Sequence, residues 1–354
     1  MRFLIIGAGA IGCWMGAKLA LSGAEVTLVG RARPVARINE RGVILSQGGA
    51  VAVVRDVHAA SSVAEALVLS RAYDAILLAV KSYDTEAAAA ELARGIVVPP
   101  PILSLQNGIG NEDLLAAAFG PDRVLAGAIT TPVTSPEPGI VEAHKAGGVV
   151  ALAPLVAKSA KPAPPAMSLI PEALAAFRRA GFRAVAASDW RALKWSKLLL
   201  NILGNATSAI LDWTPRQVFA DPRMAVLEVK ALREALAVMR AQGIAPIRLG
   251  NYPVPLLAWA GRTWPMPLVR FTLGRLVAGG RGGKRPSLHL DLSAGKGKSE
   301  VTYLNGAVAR KGAELGIPTP VNRGLTDILV SLTRGDAPWD HYRDRPERLL
   351  AAMP

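Results

Sequence analysis

The fold is decided by the N-terminal segment 1–34, which reads MRFLIIGAGAIGCWMGAKLALSGAEVTLVGRARP. An apolar run at 2–6 has the length and composition of a buried parallel strand, and a second such run follows at 25–29. The residues between the two runs predict a glycine-rich turn and a helix. Strand, turn, helix and strand together predict a βαβ unit, the building block of a doubly wound parallel sheet.

The glycine-rich turn, GAGAIG, predicts a binding site for a dinucleotide. Gly7 permits a tight turn, Gly9 lets the backbone approach a pyrophosphate, and Gly12 lets the helix and strand pack closely. Unpaired N–H groups at the start of the helix then face the phosphates. In a strand–turn–helix–strand context this glycine pattern is a strong signal. The six residues predicted to contact the cofactor are Gly7, Ala8, Gly9, Ala10, Ile11 and Gly12.

The end of the second strand predicts which nicotinamide dinucleotide binds. An NAD-dependent enzyme is expected to carry Asp or Glu about 20 residues beyond the glycines, where the carboxylate accepts a hydrogen bond from the ribose 2′-hydroxyl. This chain has Arg31 there, with Arg33 close by and no carboxylate. Because a guanidinium can bind a 2′-phosphate in a bidentate manner, Arg31 predicts NADPH/NADP+ as the cofactor.

The composition predicts a globular protein with two domains. The chain has 354 residues, of which 51% are hydrophobic and 19% are charged. Its single cysteine, Cys13, cannot form an internal disulfide, which predicts a reducing, cytoplasmic location. We expect this thiol to be a buried apolar group rather than a reactive one. No segment approaches the ~20 consecutive apolar residues of a membrane span, and no signal peptide is evident.

The net charge of +14 raises the question of nucleic-acid binding. The basic residues are mostly scattered and are not interleaved with aromatic residues, so we expect no nucleic-acid partner. A positive field around a site for anionic ligands is the preferred interpretation. The four histidines and one cysteine are also scattered, which predicts that there is no metal site. The sequence does not determine the oligomeric state, and a homodimer stays open.

Alternating strand and helix signals run through the first half of the chain. They predict a Rossmann-type α/β domain at 1–187, followed by an all-helical domain at 188–354. A Pro- and Ala-rich stretch at 158–171 predicts an exposed loop, and the stretch at 246–286 gives no secure assignment. Asn111 is expected to cap a helix. Further predicted strands are 74–80, 102–105, 123–129 and 148–152, and the predicted helices are 84–94, 111–119, 189–211, 223–242, 299–314 and 321–333.

A polar stripe interrupts the apolar helix predicted at 189–211. Lys197, Asn201 and Asn205 recur every four residues and therefore share one face of the helix. A solvated face usually carries Glu, Lys and Arg, whereas Asn is a poor residue for a helix interior. The stripe therefore predicts polar groups that line a cleft, with a solvated face as the alternative.

Two strands of the predicted sheet end in polar side chains. Lys81 follows the strand at 74–80, and Asn107 follows the strand at 102–105. A doubly wound sheet binds its ligand at the carboxyl ends of its strands. Both side chains are therefore predicted to contact a ligand, with capping of the next helix as the alternative.

Taken in chain order, these motifs resemble the ketopantoate reductases, also called 2-dehydropantoate 2-reductases. The most specific part of the resemblance is a Lys-x3-Asn-x3-Asn helix at 197–205, followed much later in the chain by Glu-x4-Asn-Gly at 300–306. The resemblance extends over most of the chain. Its other matching positions are GAGAIG at 7–12, Arg31, Lys81, Asn107-Gly108, Pro138-Gly139, Ser287 and Pro320-Val321-Asn322.

The resemblance implies that NADPH reduces the ketone of 2-dehydropantoate, a 2-oxo acid, to give pantoate for coenzyme A biosynthesis. Lys197 would be the general acid, and Glu300 would be a second catalytic residue that also lies close to the cofactor. Asn107 would contact cofactor and substrate, and Lys81 would contact the cofactor. The residues implied to bind the substrate are Asn107, Lys197, Asn201, Asn205 and Ser287.

Structural interpretations of the two catalytic candidates stay open. Lys197 could be an interface lysine whose stem covers apolar surface, and Glu300 could be an acid in the first turn of a helix, where the helix dipole favours it. Two other functions also stay open for the chain. The first is another hydroxyacid-type dehydrogenase, and the second is a non-enzymatic NADPH-binding sensor.

The chain departs from the family pattern around the implied substrate site. The segment between Ser287 and Glu300 is one residue longer than is typical, and Leu288 stands where the family usually has methionine. Lys284 occupies a position that is often polar and faces the substrate. These departures leave hydride transfer expected but open the choice of 2-oxo acid. An additional lysine would favour a substrate with a second negative charge.

Overall fold

The chain folds into two compact units. The first comprises Met1–Gln106 and Gly110–Lys194, and the second comprises Asn107–Ile109 and Trp195–Pro354. The computed structural model describes residues 1–70, 72–143, 148–156, 164–281 and 285–353, with the backbone alone at 274–281. The chain thus leaves the first unit at 194/195 rather than at 187/188. The assignment of separate cofactor and substrate domains stays a prediction.

The first unit is built on an eight-stranded sheet with a second, smaller sheet. Its strands are β1 (Arg2–Ile6), β2 (Glu25–Val29), β3 (Val43–Gln47), β4 (Ala50–Val54), β5 (His58–Ala60), β6 (Ala75–Leu78), β7 (Ile102–Ser104), β8 (Val124–Ile129), β9 (Val133–Thr134), β10 (Ile140–Ala143), β11 (Val149–Pro154) and β12 (Arg183–Ala186). The large sheet has the order β12-β11-β8-β7-β6-β1-β2-β5, and the small sheet has the order β4-β3-β10-β9.

The large sheet confirms the prediction of a doubly wound fold. Its neighbouring strands pair in parallel except for β8 and β11, which are antiparallel. Helices of this unit are α1 (Ala10–Leu21), α2 (Ala32–Arg41), α3 (Val63–Leu69), α4 (Thr85–Gly95), α5 (Asn111–Phe119) and α6 (Pro165–Arg179). The six strands expected from the sequence all form, whereas the small sheet was not predicted.

Both faces of the large sheet are buried. Along β1, Phe3 and Ile5 belong to one apolar cluster, while Leu4 and Ile6 belong to another. Successive side chains of a strand point to opposite faces, so each residue of β1 after the first packs into a core. This two-sided burial explains why the strand is a continuous apolar run rather than an alternating one.

Two local predictions for the first unit are wrong. The loop expected at 158–171 gives way to α6, which begins at Pro165 because proline suits the first turn of a helix and because Leu169 and Phe177 are buried in the core. Residues 157–163 lie outside the described residues. Asn111 does not cap α5: the N-cap is Gly110, and the Asn111 amide is buried and bonds to side chains of the preceding segment.

The second unit is helical, as predicted. Beyond the first unit the chain forms the remainder of α7 (Trp190–Ile202), then α8 (Ala206–Leu211), α9 (Pro215–Ala220), α10 (Pro222–Ala241), α11 (Val254–Thr263), α12 (Met266–Arg281), α13 (Ser287–Ser293), α14 (Asn305–Glu314), α15 (Pro320–Arg334) and α16 (Pro346–Ala351). The unassigned stretch 246–286 contains α11 and α12. Across the described residues, no helix combines the length and apolar character needed to cross a bilayer.

Candidate active site

The glycine-rich turn is tightly packed on one side and open on the other. Gly7 adopts a φ of +116°, and a Cβ on Gly12 would lie 1.9 Å from the Gly7 carbonyl oxygen, so helix and turn are in direct contact. A Cβ on Gly9, in contrast, would meet no atom of the described residues within 4 Å. The Gly9 carbonyl accepts the first helical bond from Cys13 N at 2.9 Å. The turn therefore packs tightly against α1 at Gly12 and leaves its backbone open at Gly9, which fits a dinucleotide.

The end of β2 lies directly against this turn. A Cβ on Gly30 would lie only 2.5 Å from the Cβ of Ala8. Arg31 is the N-cap residue of α2, and its exposed side chain makes no capping hydrogen bond to that helix. The first turn of α2 also carries no acidic residue. Arg31 is thus an exposed guanidinium at the start of a helix that the sequence did not predict.

A buried polar network, which the sequence did not predict, lies at the ends of β6 and β7. The Gln106 side-chain amide donates to the Val80 carbonyl at 3.0 Å and to the Thr85 hydroxyl at 2.7 Å. The Thr85 hydroxyl lies 2.8 Å from the Asn111 side-chain oxygen, to which it donates. Gln106 is thereby bonded to the backbone that immediately precedes Lys81. The two strand ends that carry candidate site residues are fixed to one another.

An ion pair is buried beside this network. The Lys194 ammonium lies 2.8 Å from Glu112 Oε1, and the two side chains are 2% and 0% exposed. The same ammonium donates to the Gln106 carbonyl at 2.6 Å. Glu112 Oε1 also accepts a hydrogen bond from the Ser104 hydroxyl at 2.6 Å. In the sequence, Lys194 lies in an apolar helix and Glu112 lies four residues after the Asn-Gly motif. Neither position indicates that the two side chains meet.

In the second unit, the segment Asn107–Ile109 contacts α7 and the 3₁₀ turn Glu300–Tyr303. The Asn201 amide donates to the Asn107 side-chain oxygen at 3.0 Å, so two predicted substrate residues are in contact. Ile109 N donates to the Tyr303 carbonyl at 3.0 Å. Gly108, with a φ of +84°, has no room for a side chain, because a Cβ would lie 2.6 Å from the same carbonyl oxygen. This close approach explains the glycine of the Asn-Gly motif.

The polar stripe does not continue along a single helix. Lys197 and Asn201 share one face of α7, but α7 ends at Ile202 and Gly204 adopts a φ of +63°. Asn205 is the N-cap of α8, which begins at Ala206 after this break, so the uninterrupted helix expected at 189–211 is wrong. The Asn205 amide donates to the Asn201 carbonyl at 3.1 Å, and its oxygen accepts from Leu288 N at 3.2 Å. Asn205 is thus bonded to backbone on both sides.

Glu300 lies at the start of a short 3₁₀ turn, Glu300–Tyr303, and its side chain is 3% exposed. The continuous helix expected at 299–314 is therefore wrong, because α14 begins only at Asn305. Ser299 is the N-cap of the turn, and its hydroxyl accepts a hydrogen bond from Val301 N at 3.2 Å. Glu300 is thus an acid in the first turn of a 3₁₀ helix, and its side chain is buried there.

The structure brings some of the predicted site residues together within each unit. In the second unit, Asn107 touches Asn201, and Lys197 lies one helical turn before Asn201. The turn that begins with Glu300 ends at the Tyr303 carbonyl, which binds the segment containing Asn107. Ser287 is half-buried at the first position of α13. In the first unit are the glycine-rich turn, Arg31 and Lys81, and Lys284 lies outside the described residues.

The remaining groups that could take part in chemistry are the thiol of Cys13 and side chains able to bind a metal ion. Cys13, next to the glycine-rich turn, is 1% exposed, and burial raises the pKa of its thiol to about 12. This confirms the expected burial of Cys13, and the low reactivity of its thiol stays a prediction. Among the residues that the structure describes, no group of three or more His, Cys, Asp or Glu side chains could hold a metal ion.

The chain is similar to characterised families over nearly its whole length. The family model described as ketopantoate reductase PanE/ApbA matches residues 3–156, and the model of the corresponding C-terminal domain matches residues 189–332. A 2-dehydropantoate 2-reductase of Halobacterium salinarum is 32% identical over 95% of this chain and 100% of its own length. One from Pyrococcus horikoshii is 28% identical over 91% of this chain and 94% of its own.

Solved structures agree with these relatives. A ketopantoate reductase from Ralstonia eutropha has a TM-score of 0.78 at 28% identity, with 95% of this chain and 99% of that chain covered. A D-mandelate dehydrogenase, solved with NADH and anilino(oxo)acetate, has a TM-score of 0.79 at 22% identity over 95% and 99% of the chains, a likeness of fold alone. The chain therefore belongs to the ketopantoate reductase family, whose members are nicotinamide-dependent oxidoreductases that act on the CH–OH/C=O group.

Proposed function

We propose that this protein catalyses the NADPH-dependent reduction of 2-dehydropantoate to pantoate, a step of pantothenate and coenzyme A biosynthesis. The observation that carries the proposal is the contact between Asn107 and Asn201, 3.0 Å long, one helical turn from Lys197. Two amides and an ammonium on neighbouring backbone segments can bind the carboxylate, hydroxyl and ketone oxygens of a small 2-oxo acid. Curated relatives that carry the name of this activity support the choice of substrate.

The cofactor proposal rests on the first unit. The open backbone at Gly9 and the N–H groups at the start of α1 would hold the pyrophosphate, and the exposed Arg31 would bind the 2′-phosphate in a bidentate manner. Lys81 would add a positive charge near the cofactor. Bound NADPH supplies a hydride to the carbonyl carbon of the substrate. The preference for NADPH over NADH depends on Arg31, because no carboxylate is available at this strand end for a ribose 2′-hydroxyl.

The proton is assigned to Lys197. As negative charge develops on the substrate oxygen, the Lys197 ammonium donates a proton to it, or stabilises it electrostatically before donation. Glu300 is proposed as the carboxylate that orients this ammonium and contacts the cofactor. Asn107 and Asn201 bind the substrate, and their mutual hydrogen bond fixes the orientation of both amides. Asn205 and Ser287 complete the proposed substrate-binding set, although Asn205 also bonds to backbone at both ends of its amide.

A different 2-oxo acid is the second candidate substrate. The chain departs from its family at Leu288, next to the proposed substrate residue Ser287, and at Lys284. The fold does not choose the substrate, because function depends on the site rather than on the fold. If Lys284 faces the substrate, a diacid would be preferred over a monoacid. A small 2-oxo acid is thus the substrate class in either case, and a cytoplasmic location stays a prediction.

The test measures NADPH oxidation by the purified protein with 2-dehydropantoate, beside a panel of monoacid and diacid 2-oxo acids. We expect turnover of 2-dehydropantoate and a loss of about 10²- to 10⁴-fold in kcat for Lys197→Ala, the usual value of a general acid. Lys230→Ala, which removes an exposed lysine of α10, is the matched control. Both variants should bind NADPH with unchanged affinity.

Each other outcome has a defined meaning. Turnover of a diacid but not of 2-dehydropantoate would replace the substrate and keep the mechanism. NADPH binding without turnover of any 2-oxo acid would favour the non-enzymatic sensor. Full activity of Lys197→Ala would contradict the assignment of the proton donor.

A further inference from the structure

The buried ion pair of Lys194 and Glu112 has no role in the proposed chemistry, and stability alone does not account for it. Removing two charges from water costs several kcal/mol per ion, and buried pairs can often be replaced by apolar residues without loss of stability. Glu112 Oε2 is buried and has no hydrogen-bond partner among the described residues, which adds to this cost. Burial of the pair therefore carries a free-energy cost, and the location of the pair indicates its role.

The location is the pair of points at which the chain leaves the first unit. Gln106 and Lys194 are the last residues of the first unit before each exit. Within that unit, the Lys194 ammonium donates to the Gln106 carbonyl at 2.6 Å. It also contacts Glu112 at 2.8 Å and the Gly127 carbonyl oxygen at 3.5 Å, so three oxygens surround the ammonium.

The Gln106 carbonyl belongs to the peptide bond that joins Gln106 to Asn107. Because a peptide unit is planar, holding its oxygen restricts where the amide nitrogen and Cα of the next residue can lie. The Gln106 side chain is held independently by Val80 and Thr85. Lys194 thus holds the Gln106 carbonyl, which the side-chain bonds of Gln106 do not involve and from which the peptide plane to Asn107 starts.

We propose that Lys194, held by Glu112, is a positioning residue that sets the Asn107 side chain in place for the substrate. This inference rests on the proposed function, because it takes Asn107 as a substrate-binding residue. The Asn107 side chain is also held at its oxygen, which accepts a hydrogen bond from the Asn201 amide at 3.0 Å. A tilt of the Gln106–Asn107 peptide would therefore break or weaken this contact. Lys194 acts through the backbone and does not touch the reacting atoms.

The decisive variant is Lys194→Met/Glu112→Gln, which removes the charges and the bond to Gln106 together. Gln keeps an oxygen for the Ser104 hydroxyl, and loss of both charges avoids an unpaired ion in the core. We expect kcat/KM for 2-dehydropantoate to fall about 10- to 100-fold, the effect of a small misplacement of a substrate-binding group, with most of the change in KM. Affinity for NADPH and the melting temperature should change little.

A second readout does not require a substrate. Amide hydrogen exchange of a peptide covering 105–110 reports the Ile109 N–H, which donates to the Tyr303 carbonyl. In the double variant this peptide should exchange faster, while peptides from β1 and α10 should not change. Phe177→Leu, a cavity variant in the core of the first unit, is the control for general destabilisation and should leave the exchange of 105–110 unaffected.

The outcomes separate this inference from the proposed function. Wild-type exchange and wild-type kcat/KM in a stable double variant would overturn the positioning role. Faster exchange at 105–110 in a protein that does not reduce 2-dehydropantoate would support the positioning role and overturn the proposed substrate. If the double variant does not fold, Lys194→Met/Glu112→Met takes its place, because an apolar pair of similar length avoids buried polar groups.

Discussion

The glycine-rich turn and the network around Lys194 lie in the same unit and differ in what defines them. The turn consists of missing side chains: Gly9 leaves open space, and Gly12 allows contact with the Gly7 carbonyl. The network consists of side chains that meet across the chain, with Lys194 and the Gln106 carbonyl 88 residues apart. A feature formed by backbone can therefore be predicted from one short segment of sequence. A feature formed by pairs of side chains depends on which distant segments the fold brings together.

Among variants of these two regions and their surroundings, the largest expected effect is in the glycine-rich turn. In Gly12→Ala the new Cβ would lie 1.9 Å from the Gly7 oxygen, so the turn must shift. We expect a loss of about 1–3 kcal/mol in the free energy of unfolding from overpacking. Binding of NADPH should weaken about 100-fold as one or two charge-assisted bonds to phosphate are lost. Denaturant unfolding and cofactor titration measure the two effects.

Gly9→Ala is the matched variant, because its Cβ meets no protein atom within 4 Å. It should unfold like the wild type and still bind NADPH more weakly, since the methyl group occupies the space proposed for the pyrophosphate. Equal NADPH affinity in Gly9→Ala and the wild type would show that the cofactor does not approach the turn at this point.

The next effect concerns a single side chain beside the turn. In Arg31→Asp we expect the ratio of kcat/KM for NADPH over NADH to fall about 10- to 100-fold, because a bidentate bond to the 2′-phosphate becomes a like-charge contact. Arg33→Asp makes the same change of charge at the exposed position two residues later. An equal fall in both variants would point to the general positive field rather than to a specific contact at Arg31.

The extent to which the sequence predicts the molecule follows the same division. The βαβ start, Arg31 at the end of β2 and the helical second unit all come from local patterns, and the structure contains them. The break in the helix after Ile202 did not come from pattern, because apolar residues continue at the helical period beyond it. At the break, the Gly204 N–H donates at 2.7 Å to the buried side chain of Glu228, a residue far along the chain.

The start of α14 illustrates the same limit. The residues from 299 onward favour a helix, yet the first turn is 3₁₀ and Leu304 has φ and ψ of −104° and −99°. This irregular backbone places the Tyr303 carbonyl opposite Ile109 N. A pattern of apolar residues reports which residues are buried, but it does not report where a helix yields to a contact with another segment.

A smaller effect distinguishes two asparagines of the polar stripe. Asn201→Ala removes the bond to Asn107, and we expect KM for the 2-oxo acid to rise about 5- to 10-fold, the value of one hydrogen bond. Asn205→Ala leaves Leu288 N without its acceptor, and we expect a loss of about 1–3 kcal/mol in the free energy of unfolding. Steady-state kinetics and urea unfolding of both variants measure this difference. A larger loss of stability in Asn201→Ala than in Asn205→Ala would reverse the two roles.

The smallest effect is expected at Cys13, which lies one helical turn beyond Gly9. Since burial raises the pKa of this thiol to about 12, the thiol is neutral at pH 8 and should not react with iodoacetamide in the folded protein. It should react once urea unfolds the chain, because an exposed cysteine has a pKa of about 8.5. Cys13→Ala is the control, since the sequence has no other cysteine.

The same shift in pKa gives a dependence of stability on pH. The folded protein keeps the Cys13 proton where the unfolded chain loses it, so this contribution to stability is complete below pH ~8.5 and is lost progressively as the pH rises toward about 12. Urea unfolding across this range should show a steeper decline for the wild type than for Cys13→Ala. Rapid labelling of the folded protein at pH 8 would mean that the first turn of α1 opens readily. The packing at Gly12 would then not keep the glycine-rich turn closed to solvent.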